Sequence, residues 1–424
     1  MVNFGTNVRL MNYNTILGQA GMAIFGLIFN LYLASIGFRE DYIGLFWFAN
    51  TAALGASAIP AGYLSNRLGS RWCLAASSAL MGLWMAIVTL VTSPVLMVVG
   101  GAVLGASTAL LFVPGGPFLM DNCREEDRLR VFSLNTAAAG LAAVIGSLAS
   151  GYLPVLFAAV QGLESPESAR AYFPVLLVAA AICALGGIPM LLARPTPRRT
   201  FASAPAVPSV QPLSEPAARR ILPRIVCAVA FMGMGTGLIL PFYNVFLTER
   251  LGVSVEQVGV IYAVGSVLMI PFSLLGPVLE KRLGTIGTVV VPRLITVPFL
   301  LLPALLPMPA TAALAYVVRA ALMNATFPPD NAFTMALMPP RMRAVLAGMR
   351  SASWNSSWAI ASLVAGQVIV AFGYTAVLVA SAALHLAGAL FYWAAVGPMR
   401  AKNPRSEAAV VPAVEAKPEV SQGT

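Results

Sequence analysis

Nine stretches of this chain contain no Asp, Glu, Lys or Arg, and they limit the possible folds more than any other feature. They run over 10–38, 42–66, 72–120, 131–163, 171–193, 225–248, 257–279, 294–318 and 351–399. A helix that crosses the hydrocarbon of a bilayer needs about 20 mainly apolar residues. Each stretch is long enough for that. Because only 10% of all residues are charged, against about a quarter in soluble domains, the sequence predicts a membrane protein.

The stretches lack the strict polar–apolar alternation that is typical of membrane β-strands. Helices also satisfy every backbone hydrogen bond internally, as the interior of a bilayer requires. We therefore predict an all-α polytopic membrane protein with twelve transmembrane helices in two pseudo-symmetric halves of six. The expected helices cover 14–36, 41–65, 71–92, 94–120, 131–160, 171–193, 221–248, 254–279, 285–307, 309–338, 342–372 and 374–397.

The placement of basic residues predicts the orientation of these helices. If the N-terminus lies inside, 20 of the 26 Lys and Arg residues fall on the cytoplasmic side, as the positive-inside rule describes. We expect both termini in the cytoplasm and the chain in the plasma membrane, which in bacteria is the inner membrane. The net charge of +10 then reflects topology, so the lipid bilayer is an expected partner and nucleic acid is not.

A repeat with an offset of 215 residues divides the chain into two halves. Leu64, Arg67, Leu68, Gly69, Phe112, Pro114 and Phe118 recur as Leu279, Arg282, Leu283, Gly284, Phe327, Pro329 and Phe333. Internal repeats of this kind are common in transporters. We predict an N-terminal half over 1–193, a flexible cytosolic linker over 194–220, a C-terminal half over 221–397 and a disordered cytosolic tail over 398–424.

The loop between the second and third predicted helices carries the most specific motif. It reads Gly62-Tyr63-Leu64-Ser65-Asn66-Arg67-Leu68-Gly69-Ser70-Arg71 and resembles motif A of the major facilitator superfamily, G-x-L-a-D-r-x-G-r-k. The resemblance covers roughly residues 10 to 397. It implies alternating access of the two halves around a midplane site, with Gly62, Asn66, Arg67, Gly69 and Arg71 in a cytoplasmic latch. Asn66 stands where the motif has an acid, so this latch lacks that charge.

Two ionisable residues share one face of the tenth predicted helix. Arg319 and Asp330 lie about 16 Å apart along the helix axis, too far for a direct ion pair. Charge within a membrane is costly and therefore marks functional candidates. We predict that Arg319 anchors a substrate anion and that Asp330 acts in a gate or in proton coupling. The alternative for both is a structural ion pair with a neighbouring helix.

Two further arginines lie nearer the cytoplasmic ends of their predicted helices. Arg293 and Arg350 are about two helical turns from those ends, so we expect their long side chains to snorkel to the interface. For Arg350 the alternative is a pair with Asp330 in a cytoplasmic gate.

Prolines and polar residues complete the set of candidates. Paired prolines predict matching helix breaks that form a gate, with static kinks as the alternative: Pro114, Pro117, Pro328 and Pro329. Polar side chains predicted in the substrate cavity are Gln19, Asn30, Asn244, Asn324 and Thr326. Such side chains either contact substrate or join helices. His385, the only histidine, is expected in a helix–helix hydrogen bond, with a titrating role as the alternative.

These observations predict a secondary transporter of a small organic solute. Three Arg against one Asp within the predicted helices favour an anionic or neutral substrate, and motif A favours export. A multidrug/proton antiporter that uses Asp330 is the alternative, although the fifth helix lacks the Gly-Pro pair of motif C. A non-transporting membrane sensor or scaffold is a rival of another class. We expect no enzyme activity, no cofactor, no metal site and a monomer, with a proton as the candidate coupled ion.

Overall fold

The computed structural model describes residues 5–195 and 212–397, so most of the predicted linker and the whole predicted tail lie outside the described residues. In the described part, twelve helices are long and apolar enough to cross a membrane, which confirms the predicted fold class. Helices α1 to α12 cover Thr6–Ser35, Glu40–Leu68, Ser70–Leu90, Pro94–Asp121, Arg128–Gln161, Ala169–Leu192, Glu215–Arg250, Val255–Leu274, Gly276–Leu305, Pro309–Leu337, Pro340–Phe372 and Tyr374–Val396. The first helix begins at Thr6, earlier than predicted.

The two ends of the helix bundle differ in the helix ends and connections that they carry. The termini end is the end at which α1 begins and α12 finishes, and the far end carries the α1–α2 and α7–α8 connections. Because each half contains six helices, α7 begins at the same end as α1. The two halves therefore have the same orientation along the bundle axis.

Glycines at matching turns show that the repeat extends to backbone geometry. Gly69, between α2 and α3, has φ 89° and ψ 145°, and Gly284, 215 residues later, has φ 71° and ψ 167°. Gly37 and Gly252, which have the same offset, also have positive φ values of 94° and 63°. Residues with a Cβ rarely adopt this backbone region. The halves thus repeat the same turns as well as the same helix count.

The helix breaks occur at a different place from the one predicted. Helix α4 runs continuously through Pro114 and Pro117, and α10 runs continuously through Pro328 and Pro329, so the predicted breaks at these prolines are wrong. Helix α9 is interrupted at Gly284, whose backbone angles are not helical, and α6 is interrupted at Gly186. Helix α7 is also irregular, because it changes at Leu240 to a 3₁₀ turn and ends in a π turn over Phe246–Arg250. Pro241, which lacks an N–H donor, lies in that 3₁₀ turn.

Close helix packing joins the two halves at the far end. Gly44 of α2 lies against the backbone of Ser362 in α11, and Gly151 of α5 lies against Glu256 at the start of α8. Small residues allow helix backbones to approach in this way. The Tyr374 hydroxyl of α12 adds a hydrogen bond of 2.9 Å to the carboxylate of Glu40 in α2.

Helix α11 shows that this packing does not continue to the termini end. Over 357–366 only Ile360 and Val364 are exposed, whereas over 344–352 every residue is exposed except Leu346 and Arg350. Leu346 and Arg350 pack against other helices of the C-terminal half, whereas the rest of the circumference has no helix of the N-terminal half against it. The two halves are therefore in contact at the far end and diverge toward the termini end.

The backbone requirement at Gly69 leads to the first prediction. Gly69→Ala places a Cβ in a backbone region that favours glycine, so we expect a loss of about 1–3 kcal/mol of stability. Gly348→Ala is the matched control, because its added Cβ meets no atom within 4 Å on a helix and alanine favours helix. Thermal unfolding of the purified protein in detergent measures both. Equal unfolding midpoints for the two variants would contradict the requirement for glycine at position 69.

Candidate functional site

Arg319 lies near the middle of α10 and is buried without a counterion. Only 8% of its surface is exposed. Its Nε is buried with no hydrogen-bond partner, and no ion pair connects its guanidinium to a described residue. A buried charge normally has a partner, because the loss of hydration is otherwise uncompensated. The arrangement therefore leaves a cation available for a ligand.

Three tyrosines from three helices lie near Arg319. Tyr243 of α7, Tyr262 of α8 and Tyr316 of α10 are close enough for the charge of its guanidinium to act on their hydroxyl groups. The rings of Tyr262 and Tyr316 stack with 4.3 Å between centroids, and the Tyr243 ring lies 5.4 Å from that of Tyr316. The Tyr243 hydroxyl donates to the Ala312 carbonyl at 2.7 Å. The site thus combines one cation with aromatic faces.

Asp330 is held between two arginines from neighbouring helices. Arg293 of α9 and Arg350 of α11 each donate from Nη2 to the Asp330 Oδ2 at 2.9 Å. Arg350 also donates from Nη1 to Oδ1 at 3.3 Å and to the Thr334 hydroxyl at 3.0 Å. The Arg293 guanidinium lies 5.0 Å from the ring centroid of Tyr392 in α12. This arginine–aspartate cluster joins α9, α10, α11 and α12 near the termini end.

The structure corrects the predicted snorkelling of Arg293 and Arg350. Their side chains are only 7% and 11% exposed and turn toward Asp330, not toward an interface. The alternative stated for Arg350, a pair with Asp330, is the one observed. It lies wholly within the C-terminal half, so in this conformation it does not bridge the halves. A shared counterion compensates the burial of both guanidinium groups.

Asn30 and Asn244 join the two halves where α1 meets α7. Asn30 donates from Nδ2 to the Pro241 carbonyl and, at 3.4 Å, to the Asn244 Oδ1. In return Asn244 donates to the Leu27 carbonyl, and the Trp47 indole donates to the Asn30 Oδ1 at 2.8 Å. Both amides are 2% exposed. Of the two roles considered for polar side chains, joining helices is the one seen here.

The other predicted cavity residues make only local contacts. Asn324 donates to the Ala320 carbonyl and Thr326 to the Met323 carbonyl, both within α10. Gln19 is half-buried in α1 and makes no hydrogen bond to a described residue. Their contact with a substrate therefore stays a prediction.

His385 is fully buried and belongs to the contact between α12 and α7. Its Nδ1 lies 2.8 Å from the Ser381 carbonyl of its own helix, and its Nε2 has no partner. The helix–helix hydrogen bond is made by the neighbouring Ser381 hydroxyl, which donates to the Gly235 carbonyl at 2.6 Å. The expected helix–helix hydrogen bond of His385 is therefore not observed.

The motif A residues lie together at the termini end. Gly62 faces Val113 of α4, Gly69 separates α2 from α3, and Asn66 is exposed. The Arg67 guanidinium lies 4.9 Å from the Tyr63 ring. Arg71 donates to the Ala193 carbonyl, which ties α3 to the end of α6 within the N-terminal half. A latch between the halves stays a prediction.

The residues that surround Arg319 were missed by sequence reasoning. Tyr316 carries a recoverable signal, because it precedes Arg319 by three positions and so shares its helix face. Tyr243 and Tyr262 reach the site from two other helices, and no spacing in the sequence encodes that contact.

Twelve membrane-length helices in two matching halves, with a buried cation in one of them, are typical of polytopic membrane transporters. The family model described as Major Facilitator Superfamily matches residues 13–361. The chain belongs to the Major Facilitator Superfamily. The resemblance seen in motif A is thereby confirmed, and the protein is a secondary membrane transporter, not an enzyme.

Individual relatives agree with this assignment. A protein of Deinococcus radiodurans named as a sugar efflux transporter is 29% identical over 223 residues, which are 52% of this chain and 57% of that protein. The match thus spans little more than half of the relative. A bacterial homologue of the human lysosomal transporter Spinster, solved in an inward-facing and occupied conformation, has a TM-score of 0.72 and 16% identity over 92% of this chain and 96% of that chain. A D-xylose–proton symporter has a TM-score of 0.71 and 14% identity over 92% and 97%. At these identities the structures show the shared fold alone.

The unequal charge environments of Asp330 and Arg319 lead to a stability prediction. Asp330→Asn leaves two buried guanidinium groups without their counterion, so we expect a loss of about 3–5 kcal/mol. Arg319→Met removes a charge that has no described partner, and we expect its stability to equal or exceed that of the wild type. Thermal unfolding in detergent compares them. A larger loss of stability in Arg319→Met than in Asp330→Asn would show that Arg319 has a structural partner.

The Asn30–Asn244 contact leads to a conformational prediction. Asn244→Ala removes two buried hydrogen bonds between the halves, worth about 1–3 kcal/mol, so the far end should open more often. The reporter is Ser362→Cys, a position buried against Gly44, in a background with the native cysteines replaced by serine. We expect its thiol labelling to accelerate about tenfold.

The matched control for that experiment is Asn355→Ala. The Asn355 amide donates only within its own helix, to Ser351, so its loss should leave the labelling rate unchanged. Equal rates in the Asn244→Ala and Asn355→Ala backgrounds would rule out a sealing role for Asn244.

Proposed function

We propose that this protein moves a small polar organic solute across the membrane by alternating access, with Arg319 in its substrate site. The observation that carries the proposal is the buried guanidinium of Arg319, which has no described partner and lies near Tyr243, Tyr262 and Tyr316. Charge without a partner at mid-membrane is costly. A bound solute group would supply the missing partner.

The packing of the halves supports alternating access. Contacts between the halves concentrate at the far end, whereas α11 is exposed almost all round over 344–352. This is the arrangement expected of one end state in a rocking cycle. In the other end state the Asn30–Asn244 contact would be broken and the motif A loop would approach the opposite half.

The moving bodies that we propose are the two six-helix halves, over 1–193 and 221–397. The packing of α9 to α12 around Asp330 supports movement of the C-terminal half as a unit. The predicted linker covers 194–220, but in the structure its last six residues already belong to α7; the part before α7 would let one half rotate against the other.

The charge distribution supports an orientation with both termini in the cytoplasm. The termini end carries Arg67 and Arg71 at the α2–α3 turn and Arg128 and Arg130 at the start of α5, and Lys and Arg are enriched at the cytoplasmic face. In the plasma membrane of a bacterium, this conformation would then open to the cytoplasm. We propose export of a solute of sugar size, on the strength of the Deinococcus radiodurans relative named for sugar efflux. A coupled proton remains part of the proposal, without an assigned carrier.

The multidrug/proton antiporter has weaker support. Its proton carrier would be Asp330, yet Arg293 and Arg350 both bind this carboxylate at 2.9 Å. Two guanidinium groups stabilise the carboxylate over the neutral acid, so repeated protonation in each cycle would be unfavourable. The non-transporting scaffold is likewise disfavoured, because it gives no role to an unpaired buried cation.

Arg319→Ala tests the proposed site. We expect it to abolish counterflow of the transported solute in proteoliposomes, while the unfolding midpoint in detergent stays at or above the wild-type value. Substrates are first sought by thermal-shift screening of sugars and organic acids. Arg220→Ala, at an exposed position in α7, is the control and should transport normally. Wild-type counterflow by Arg319→Ala would sink the site assignment.

A further inference from the structure

We infer that the solute bound at Arg319 is a hydroxylated monocarboxylate, such as a sugar acid, and not a neutral sugar. This inference rests on the proposed transport function and adds the substrate class. It follows from the charges around Arg319, from the groups that its tyrosines leave free, and from the shape of the aromatic surface.

The charges of the C-terminal half leave Arg319 without a counterion. Two buried arginines, Arg293 and Arg319, one largely buried arginine, Arg350, and one buried aspartate lie in the described helices of this half. Asp330 is shared by Arg293 and Arg350, and it lies about 16 Å from Arg319 along α10. One carboxylate cannot serve a third guanidinium at that distance. The missing negative charge must therefore come from outside the described residues.

The titratable groups that face Arg319 do not supply a negative charge. They are Tyr243 of α7, Tyr262 of α8 and Tyr316 of α10, together with His385 of α12. Near neutral pH a tyrosine is uncharged, and a histidine is neutral or positive. A ligand carboxylate would fill the gap, because a guanidinium binds it with two parallel hydrogen bonds.

The stacked tyrosines favour a hydroxylated carbon skeleton. The rings of Tyr262 and Tyr316 form an aromatic surface, with 24° between their planes. Their hydroxyls bind no described residue, whereas the Tyr243 hydroxyl is occupied by the Ala312 carbonyl. Free hydroxyls can donate to and accept from ligand hydroxyls, and the ring faces can cover the apolar C–H face of a sugar-like molecule.

The close approach of α8 sets the position of this aromatic surface. A Cβ on Gly265 would lie 2.8 Å from Cε1 of Tyr316, so the absence of a side chain lets the ring lie against α8. Gly265 is therefore a positioning residue for the Tyr316 ring. Because Gly265 has no charged group, it does not affect whether the ligand is charged or neutral.

A single arginine also distinguishes among anions. One guanidinium matches the one charge of a carboxylate, whereas a phosphate monoester carries about two charges near pH 7. Among the described residues no second cation lies beside Arg319 to balance the extra charge; Arg293 and Arg350 are engaged with Asp330. A monocarboxylate is therefore the better match.

Paired ligands of one carbon skeleton test this inference with the purified full-length protein. Gluconate and glucuronate carry the carboxylate, and sorbitol and glucose are their neutral counterparts. In binding titrations we expect the acids to bind about tenfold to a hundredfold more tightly than the neutral partners, as a charge-assisted hydrogen bond requires. Proteoliposome counterflow should show the same order.

Variants separate the charge from the aromatic surface. Arg319→Met, of similar length but uncharged, should bind acid and neutral ligands equally, and Arg319→Lys should keep part of the preference. Gly265→Ala should weaken both ligand types while the preference for the acid persists. Arg220→Met is the control and should behave as the wild type.

Each contrary outcome has a defined meaning. Equal or tighter binding of the neutral ligands by the wild type, with flux intact, overturns the inference and leaves the proposed transport function standing. An acid preference that survives in Arg319→Met also overturns it. If no ligand of either series binds, the sugar-acid assignment fails. Absence of flux for every sugar and organic acid tested would in addition overturn the proposed function.

Discussion

The cost of an unsatisfied polar or charged group in hydrocarbon governs this structure. It favours helices for all twelve membrane-length segments, because a helix pairs its own backbone groups. It explains why Asp330 lies between Arg293 and Arg350, and why Asn30 donates to the carbonyl of Pro241 where α7 loses regular hydrogen bonding. Against this background Arg319 is the exception, since its guanidinium is buried without a described partner. Exceptions to such a strict rule are where function is expected.

Much of the fold could be predicted, because the rule that produces it is local. Stretches without charge locate the helices, and a helix satisfies itself without reference to its neighbours. The turns at Gly69 and Gly284 are local as well, because glycine at these positions allows the positive φ values that the turns require. The prolines did not behave so simply. Helices α4 and α10 continue through theirs, while Pro241 lies in a 3₁₀ turn beside Asn30 of another helix. Whether a proline interrupts a helix depends on the donors that neighbouring helices offer.

The candidate site was predictable only one helix at a time. Helical periodicity shows that Arg319 and Asp330 share a face of α10, and their separation excludes a direct pair. It cannot show that α9 and α11 bring Arg293 and Arg350 to the same carboxylate, because crossing positions are set by packing between helices. The snorkelling prediction failed for that reason. The same limit hid Tyr243 and Tyr262, whereas Tyr316 was within reach of a periodicity argument.

The two halves share a scaffold but not its charges. Subtracting the repeat offset of 215 from Arg293, Arg319, Asp330 and Arg350 gives Ser78, Leu104, Gly115 and Asn135. In the N-terminal half the equivalent polar contacts are neutral: Asn14 donates to Ser78, and Asn135 donates to Asn12 and Thr15. Neutral hydrogen bonds therefore suffice to hold a six-helix half together. The charges of the other half are not needed for the shared architecture, and their burial has a cost. In the arginine–aspartate cluster that cost is offset within the half. At Arg319 it is not. On the function that we propose, the C-terminal half would therefore recognise the solute, and the N-terminal half would supply an uncharged surface against which the C-terminal half closes.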